Sequence, residues 1–221
     1  MPSSTLAEPH IQPPGGTLFV TYRLAGSIPI EVLQELIGAT ERINKELAEI
    51  EDDEQRAKQA YREQRRVFGR WDRILDAAAT GPKWLSNPQI AQAVADSLHY
   101  LDGRVIDLDS YCIMSNHWHF LLWPVGDGDL SNFMRWLTLT HTQRYHASHG
   151  TLGIGHLYQG RFKSFPVEED SHFLTVCRYV EANAVRAGLA DRGEHWRWCS
   201  LWSRHNPGGP LKSRLEPWPV E

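Results

Sequence analysis

His117 and His119 are separated by one residue inside Tyr111 to Pro124 (YCIMSNHWHFLLWP), an apolar, strand-like run. Alternate side chains of a strand share a face, so the two imidazoles project together while Trp118 and Phe120 turn to the other side. Two imidazoles so placed are able to share one divalent cation, but they leave ligand positions to be filled from elsewhere in the chain. Without such partners they are simply strand neighbours. A second group with chemistry lies downstream, where the spacing predicts a helix from His172 to Ala187. Phe173, Cys177, Val180, Ala184 and Ala187 form its core face, and roughly 100° round lie His172, Val176, Tyr179, Asn183 and Arg186. Tyr179 and Asn183 are one turn apart, so a phenol and an amide oxygen can address the same ion or substrate atom. A tyrosine beside an asparagine is also an ordinary half-buried aromatic with a hydrogen-bond partner.

These residues need a scaffold that brings strand and helix face to face. Thr17 to Ala25 reads as a strand. Ile30 to about Ala79 is helical and charged with a break near Glu51 to Glu54, a long helix or helical hairpin that reads as an interaction arm inserted into the domain. Trp84-Leu85-Ser86-Asn87-Pro88 marks a helix start, and Ile90, Val94, Leu98 and Leu101 follow at helical spacing to Gly103. Arg104 to Met114 and His117 to Val125 read as strands joined through Ser115-Asn116. Asp129 or Ser131 caps a helix to about His149, and Tyr158 to Glu168 returns to a strand. Asp170 or Ser171 caps the last helix, and Gly188 ends it as a left-handed residue. The order predicts an α+β fold, a ferredoxin-like antiparallel sheet with helices on one face plus a helical insert.

The 221 residues, 41% of them hydrophobic, suffice for one core. Residues 17–202 form the expected domain, with the insert at 30–80, a disordered tail at 1–16 and a second tail at 203–221. No apolar run approaches a membrane span and no signal-like N-terminus is seen, so a cytoplasmic protein is expected. Three cysteines, an odd number with no paired spacing, argue against a disulfide framework and a four-cysteine zinc module. Each reads as a small buried apolar residue. The net charge of −4 does not favour a nucleic-acid partner. The deficit is local, however: residues 31 to 80 hold 12 acidic and 9 basic side chains, whereas residues 104 to 221 balance at 12 against 12.

His117-Trp118-His119, followed by Tyr179-Val-Glu-Ala-Asn183-Ala-Val-Arg186-Ala-Gly188, closely resembles the single-tyrosine HUH transposases, in particular the REP-associated tyrosine transposases. Tyr158-Gln159-Gly160-Arg161-Phe162-Lys163-Ser164 and Gly81-Pro82-Lys83-Trp84 are similar to the same family. The resemblance covers about residues 17 to 202 and leaves the acidic insert and the tails without a role. It implies that His117 and His119 are metal ligands on a central strand, that Asn183 is the third ligand, and that Tyr179 on the overlying helix is the nucleophile. It implies Mg²⁺ or Mn²⁺ as cofactor and single-stranded or hairpin DNA as partner, with a homodimer as one arrangement, the tyrosine serving its own site or a partner's. Ser115 stands where many relatives have proline, a change that affects loop stiffness and should spare ligation.

The chemistry agrees with that implication. A cation on a non-bridging phosphate oxygen neutralises charge and orients an in-line displacement, and a tyrosine nucleophile stores the broken bond as a phosphotyrosine. No residue is identified as the base for the phenol, and water can serve. Arg161 and Lys163 alternate about Phe162 on the expected strand and are candidate phosphate contacts, as is Arg186, for which complementing the helix dipole is an equal reading. His141 and His172 receive no role, and Trp123, Trp136, Trp196, Trp198 and Trp202 are candidates for base stacking as well as for the core. The resemblance thus implies a metal-dependent single-strand DNA endonuclease and strand transferase acting at hairpin-forming repeat DNA, and two other readings stand beside it: a catalytically silent binder of DNA or RNA hairpins, and a zinc hydrolase, which lacks a cysteine or carboxylate with evident ligand spacing.

Overall fold

The computed structural model describes residues 16–77, 80–126, 129–149, 155–167 and 170–206. Its elements are β1 (Thr17–Arg23), α1 (Ile30–Ala48), α2 (Asp53–Asp76), α3 (Pro88–Leu101), β2 (Ile106–Ile113), β3 (His117–Pro124), α4 (Leu130–His149), β4 (Lys163–Val167), α5 (Asp170–Arg186) and α6 (Ser200–His205). The four strands make one antiparallel sheet in the order β2-β3-β1-β4. That is the ferredoxin-like arrangement expected, with β1 and β3 at its centre.

Alternation along the central strands decides which helices cover which face. Leu18, Val20 and Tyr22 of β1 and Trp118, Phe120 and Leu122 of β3 meet Ile90, Val94 and Leu98 of α3 and Phe133 and Leu137 of α4 in one core. Asn87 caps α3 by accepting from the Gln89 amide at 2.9 Å, with Pro88 in the first turn where a missing N–H costs nothing. Asp129 caps α4 in the same way, accepting from the Ser131 amide at 2.8 Å.

The opposite face departs from the expectation of helices on one side alone. Phe19, Cys112, Met114 and Leu121 project there, and α5 covers them with Val176, Cys177, Val180 and Ala184. A sheet with apolar side chains on both faces has to be covered on both. All three cysteines are buried free thiols. The left-handed Gly188 (φ 68°) ends α5, with Leu189 N–H donating to Ala184 C=O at 2.8 Å and Gly188 N–H to Val185 C=O at 2.9 Å. The side chains of Asp170 and Ser171, the expected caps, lie outside the described residues.

The insert is a hairpin of α1 and α2. Asp52 caps α2, accepting from the Gln55 amide at 2.6 Å. Leu36 of α1 packs with Trp71 and Leu75 of α2 and with Ile28 in a small core of their own. Phe68 of α2 packs on Phe19 of β1 with ring centroids 4.8 Å apart, so α2 shares the α5 side of the sheet.

Two boundaries differ from expectation. β4 begins at Lys163, not Tyr158: Tyr158 makes a single bridge to Leu24, and pairing resumes at Thr21 with Lys163. Four residues there face two of β1, so the chain bulges, bends at Gly160 and Arg161, and places Arg161 outside the strand. At the other end α6 crosses residue 202, and Ser203 is buried with its hydroxyl 3.2 Å from that of Tyr111. The expected tails lie mostly outside the described residues. Among the described residues no helix is long and apolar enough to cross a membrane.

Candidate active site

His117 and His119 are fully buried on the β3 face that meets α5 and α2. Their orientations are fixed through their Nδ1 atoms. His117 Nδ1 lies 2.6 Å from the Asn116 amide oxygen, whose Nδ2 donates to the Leu75 carbonyl of α2 at 3.3 Å. An amide oxygen only accepts, so His117 Nδ1 carries the proton. His119 Nδ1 lies 2.9 Å from Thr21 Oγ1, and the Thr21 hydroxyl donates to Asp72 Oδ1 at 3.1 Å. With its hydrogen so used, Thr21 accepts from His119 Nδ1. Ligating histidines are commonly held by such second hydrogen bonds.

The consequence is that both Nε2 atoms turn to one point, 2.8 Å apart. Asp76 of α2 brings a carboxylate oxygen to 3.3 Å from His117 Nε2 and 3.8 Å from His119 Nε2. Asn183 of α5 stands at the same point. With its amide nitrogen turned to the Asp76 oxygens (3.2 and 3.1 Å), its oxygen lies 3.2 Å from His119 Nε2. Nitrogen lone pairs and a carboxylate gathered so closely repel unless a positive charge lies among them. Burial and the neighbouring His119 push His117 down to about 4, against the pull of Asp76, so it is neutral and able to donate a lone pair near pH 7. Burial alone would raise Asp76, but the adjoining His117 and His119 outweigh it and hold the carboxyl well below its usual range. Asp76, His117 and His119 thus make a donor group able to hold a metal ion.

Tyr179 of α5 is beside this group, its ring centroid 6.1 Å from that of His119 and packed edge-on to Phe19 at 5.9 Å. Its hydroxyl donates to Asp72 Oδ2 at 3.1 Å. Burial pushes the Tyr179 phenol above its usual range, and the Asp72 and Asp76 carboxylates add to this against the opposing pull of Arg186. Burial raises Asp72 to about 6, offset in part by His119. Arg186 lies 4.5 Å over the Tyr179 ring and pairs with Asp76 at 3.2 Å.

The structure therefore brings His117, His119, Tyr179, Asn183 and Arg186 together within one chain. Lys163 is at the margin: it pairs with Thr21 across the strands and its ammonium lies 5.1 Å over the Trp71 ring. Arg161 is exposed on the bend before β4. Trp123 and Trp136 are exposed, Trp136 stacking on Tyr100, while Trp196 is tied to the Ile113 carbonyl at 3.0 Å. His172 meets the Tyr61 hydroxyl at 3.1 Å and His141 that of Tyr158, both structural contacts.

Sequence reasoning missed Thr21, Asn116, Asp72 and Asp76. The one available signal for Asp72 is its place among Phe68, Trp71 and Leu75, where a carboxylate interrupts an apolar stripe.

Comparison with known proteins matches the family described as "Transposase IS200 like" to residues 85–183. That segment, less than half of the chain, is similar to IS200-like transposase sequence. It contains His117, His119, Tyr179 and Asn183, so the resemblance read from those motifs holds. A solved structure, that of a REP-associated tyrosine transposase bound to a REP hairpin, superposes with a TM-score of 0.51 at 14% identity, covering 94% of this chain and 87% of the other. At that identity the likeness establishes the fold. No curated protein matches the chain. Asp72 and Asp76 precede the matched segment, so two of the groups at the site come from the insert.

Proposed function

We propose that this chain is a divalent-metal-dependent DNA strand transferase, which cleaves a single strand at hairpin-forming repeat DNA through a 5′-phosphotyrosine on Tyr179. The observation that carries the reading is the convergence of two Nε2 atoms and the Asp76 carboxylate beside a tyrosine hydroxyl already hydrogen-bonded to a second carboxylate. The hairpin is carried over from the DNA named for the superposed transposase.

His117, His119, Asp76 and Asn183 would hold the ion, a nitrogen and oxygen set that suits Mn²⁺ or Mg²⁺. When bound, such a cation withdraws charge from a phosphate oxygen. Tyr179 supplies the nucleophile. Its oxygen forms the new bond to phosphorus, the bond to the 3′ oxygen breaks, and that oxygen takes a proton from water to leave as a 3′-hydroxyl. Asp72 Oδ2, at 3.1 Å, is the acceptor placed for the phenolic proton, the role for which the sequence offered no residue. Arg186 steadies the ring and, with Arg161 and Lys163, is a candidate contact for phosphate. Rejoining reverses the same steps when a 3′-hydroxyl attacks the phosphotyrosine, so no nucleotide is consumed. The histidines and the tyrosine come from one chain, so a homodimer is not needed to complete the site.

Asp76 also supplies the carboxylate that a zinc hydrolase would need. Incubation with hairpin-containing single-stranded DNA and Mn²⁺, followed by a denaturing gel, separates the readings. The transferase gives a covalent protein–DNA species that Tyr179→Phe abolishes. DNA binding without such a species supports the silent binder, and hydrolysis dependent on tightly retained zinc supports the third reading.

A further inference from the structure

The insert is acidic by composition, yet its charges are sorted in space. Between Gln55 and Trp71, α2 carries six arginines and lysines and one glutamate. Most carboxylates near it are engaged: Asp53 pairs with Arg56, Glu54 with Lys58, Glu63 with Arg66, and Glu35 of α1 with Arg70. Asp72 and Asp76 turn into the catalytic site. Arg62, Arg65 and Arg73 are exposed and have no carboxylate partner among the described residues. Arg65 lies 6.0 Å over the Tyr61 ring, and Arg73 Nε donates to the Gly69 carbonyl at 3.2 Å.

At about 100° per residue, these three arginines fall within an arc of roughly 80° on a helix, and they span about 16 Å along its axis. Gly69 lies within the same arc, and a Cβ built there meets nothing within 4 Å. A glycine in a helix interior costs about 1 kcal/mol relative to alanine. No packing against the described residues requires it, whereas close approach of another backbone to the helix surface would. The stripe runs toward the end of α2 that delivers Asp72 and Asp76 to Tyr179, and Arg73 lies between those two carboxylates in sequence.

We infer that the outer face of α2, with Arg62, Arg65, Gly69 and Arg73, is a track for the sugar-phosphate backbone of the nucleic-acid strand that leads to Tyr179. The inference rests on the proposed function for the position of the scissile phosphate. It makes the hairpin insert a substrate-binding arm as well as a donor of active-site carboxylates. The contacts are to phosphates, so the arm adds affinity and direction without reading sequence.

The test is fluorescence anisotropy of the full chain with a labelled hairpin carrying a single-stranded flank, from 50 to 300 mM salt, in a Tyr179→Phe background that prevents cleavage. Three phosphate contacts to a single strand predict that Arg62→Gln/Arg65→Gln/Arg73→Gln lowers the slope of log affinity against log salt by about 2 and weakens binding at least tenfold at 100 mM. Arg42→Gln/Lys45→Gln on α1 serves as the control and should shift the slope by less than about 0.5. Thermal melting should be unchanged by these exposed substitutions. An unchanged slope in the triple variant overturns the track while leaving the adduct chemistry standing. A lowered slope in a protein whose unmutated form makes no adduct keeps the track and removes the transferase, and a chain that binds no DNA removes both.

Discussion

Asp72 and Asp76 sit one turn apart on α2, yet their surroundings divide their work. Asp76 faces two imidazoles and an arginine and is held ionised. Asp72 is buried against a threonine and a phenol and is raised to about 6. The account predicts that the two separate on substitution. Asp76→Ala should weaken Mn²⁺ binding on the order of 10- to 100-fold in a calorimetric titration, since an anionic donor is lost. Asp72→Asn should leave Mn²⁺ affinity within a few fold but slow adduct formation by roughly 10²- to 10⁴-fold, the scale of general-base catalysis. Equal effects of both variants on metal and rate would contradict the division.

At the scale of elements, α5 is docked from two sides, by α2 at the site and by α6 behind it. Glu181 of α5 pairs with Arg204 of α6, the two side chains 3% and 2% exposed, and accepts from the Ser200 hydroxyl at 2.8 Å. Arg204 also donates to the Asp109 carbonyl of β2 at 2.7 Å. Removing one partner strands a buried charge, so Glu181→Ala should cost about 3–5 kcal/mol in urea unfolding, and a loss under about 1 kcal/mol would contradict the packing. How the site divides between legible and hidden follows from these elements. The strand alternation at His117 and His119 and the one-turn spacing of Tyr179 and Asn183 are local periodicities, visible in the chain itself. Asp72 and Asp76 are among 12 acidic side chains at residues 31 to 80; nothing local distinguishes Asp76 from the solvated ones, and Asp72 is marked only by the apolar stripe it interrupts. Only the docking of α2 on Phe19 and Phe165 makes them part of the site. For Arg161 it is the strand placement that differs, because the bulge before β4 breaks the alternation that its expected strand face assumed.

For the molecule as a whole, burial of neutral histidines ties stability to pH. Burial lowers His141 to about 4, as it does His99, from an ordinary value near 6.5. Between those values the unfolded chain binds protons that the folded chain refuses, so stability should fall as pH drops from about 6.5 to 4. The slope is at most about 1.4 kcal/mol per pH unit for each histidine. Asp72 works the other way, since its raised value favours the folded state at low pH. His141→Gln should therefore flatten the urea midpoint against pH relative to wild type, and an unchanged profile would show that the imidazole does not titrate as described. The wider claim is that the insert, the sheet and the tyrosine helix of a single chain assemble one phosphoryl-transfer centre. Its most direct measurement is tryptic peptide mass spectrometry after reaction with hairpin-containing single-stranded DNA and Mn²⁺. Cleavage after Arg178 and Arg186 isolates residues 179–186. The account predicts that this peptide carries the nucleotide adduct, linked through phosphate to its one tyrosine. An adduct on a peptide bearing any of the other six tyrosines, or no adduct while the DNA is cut, would contradict it.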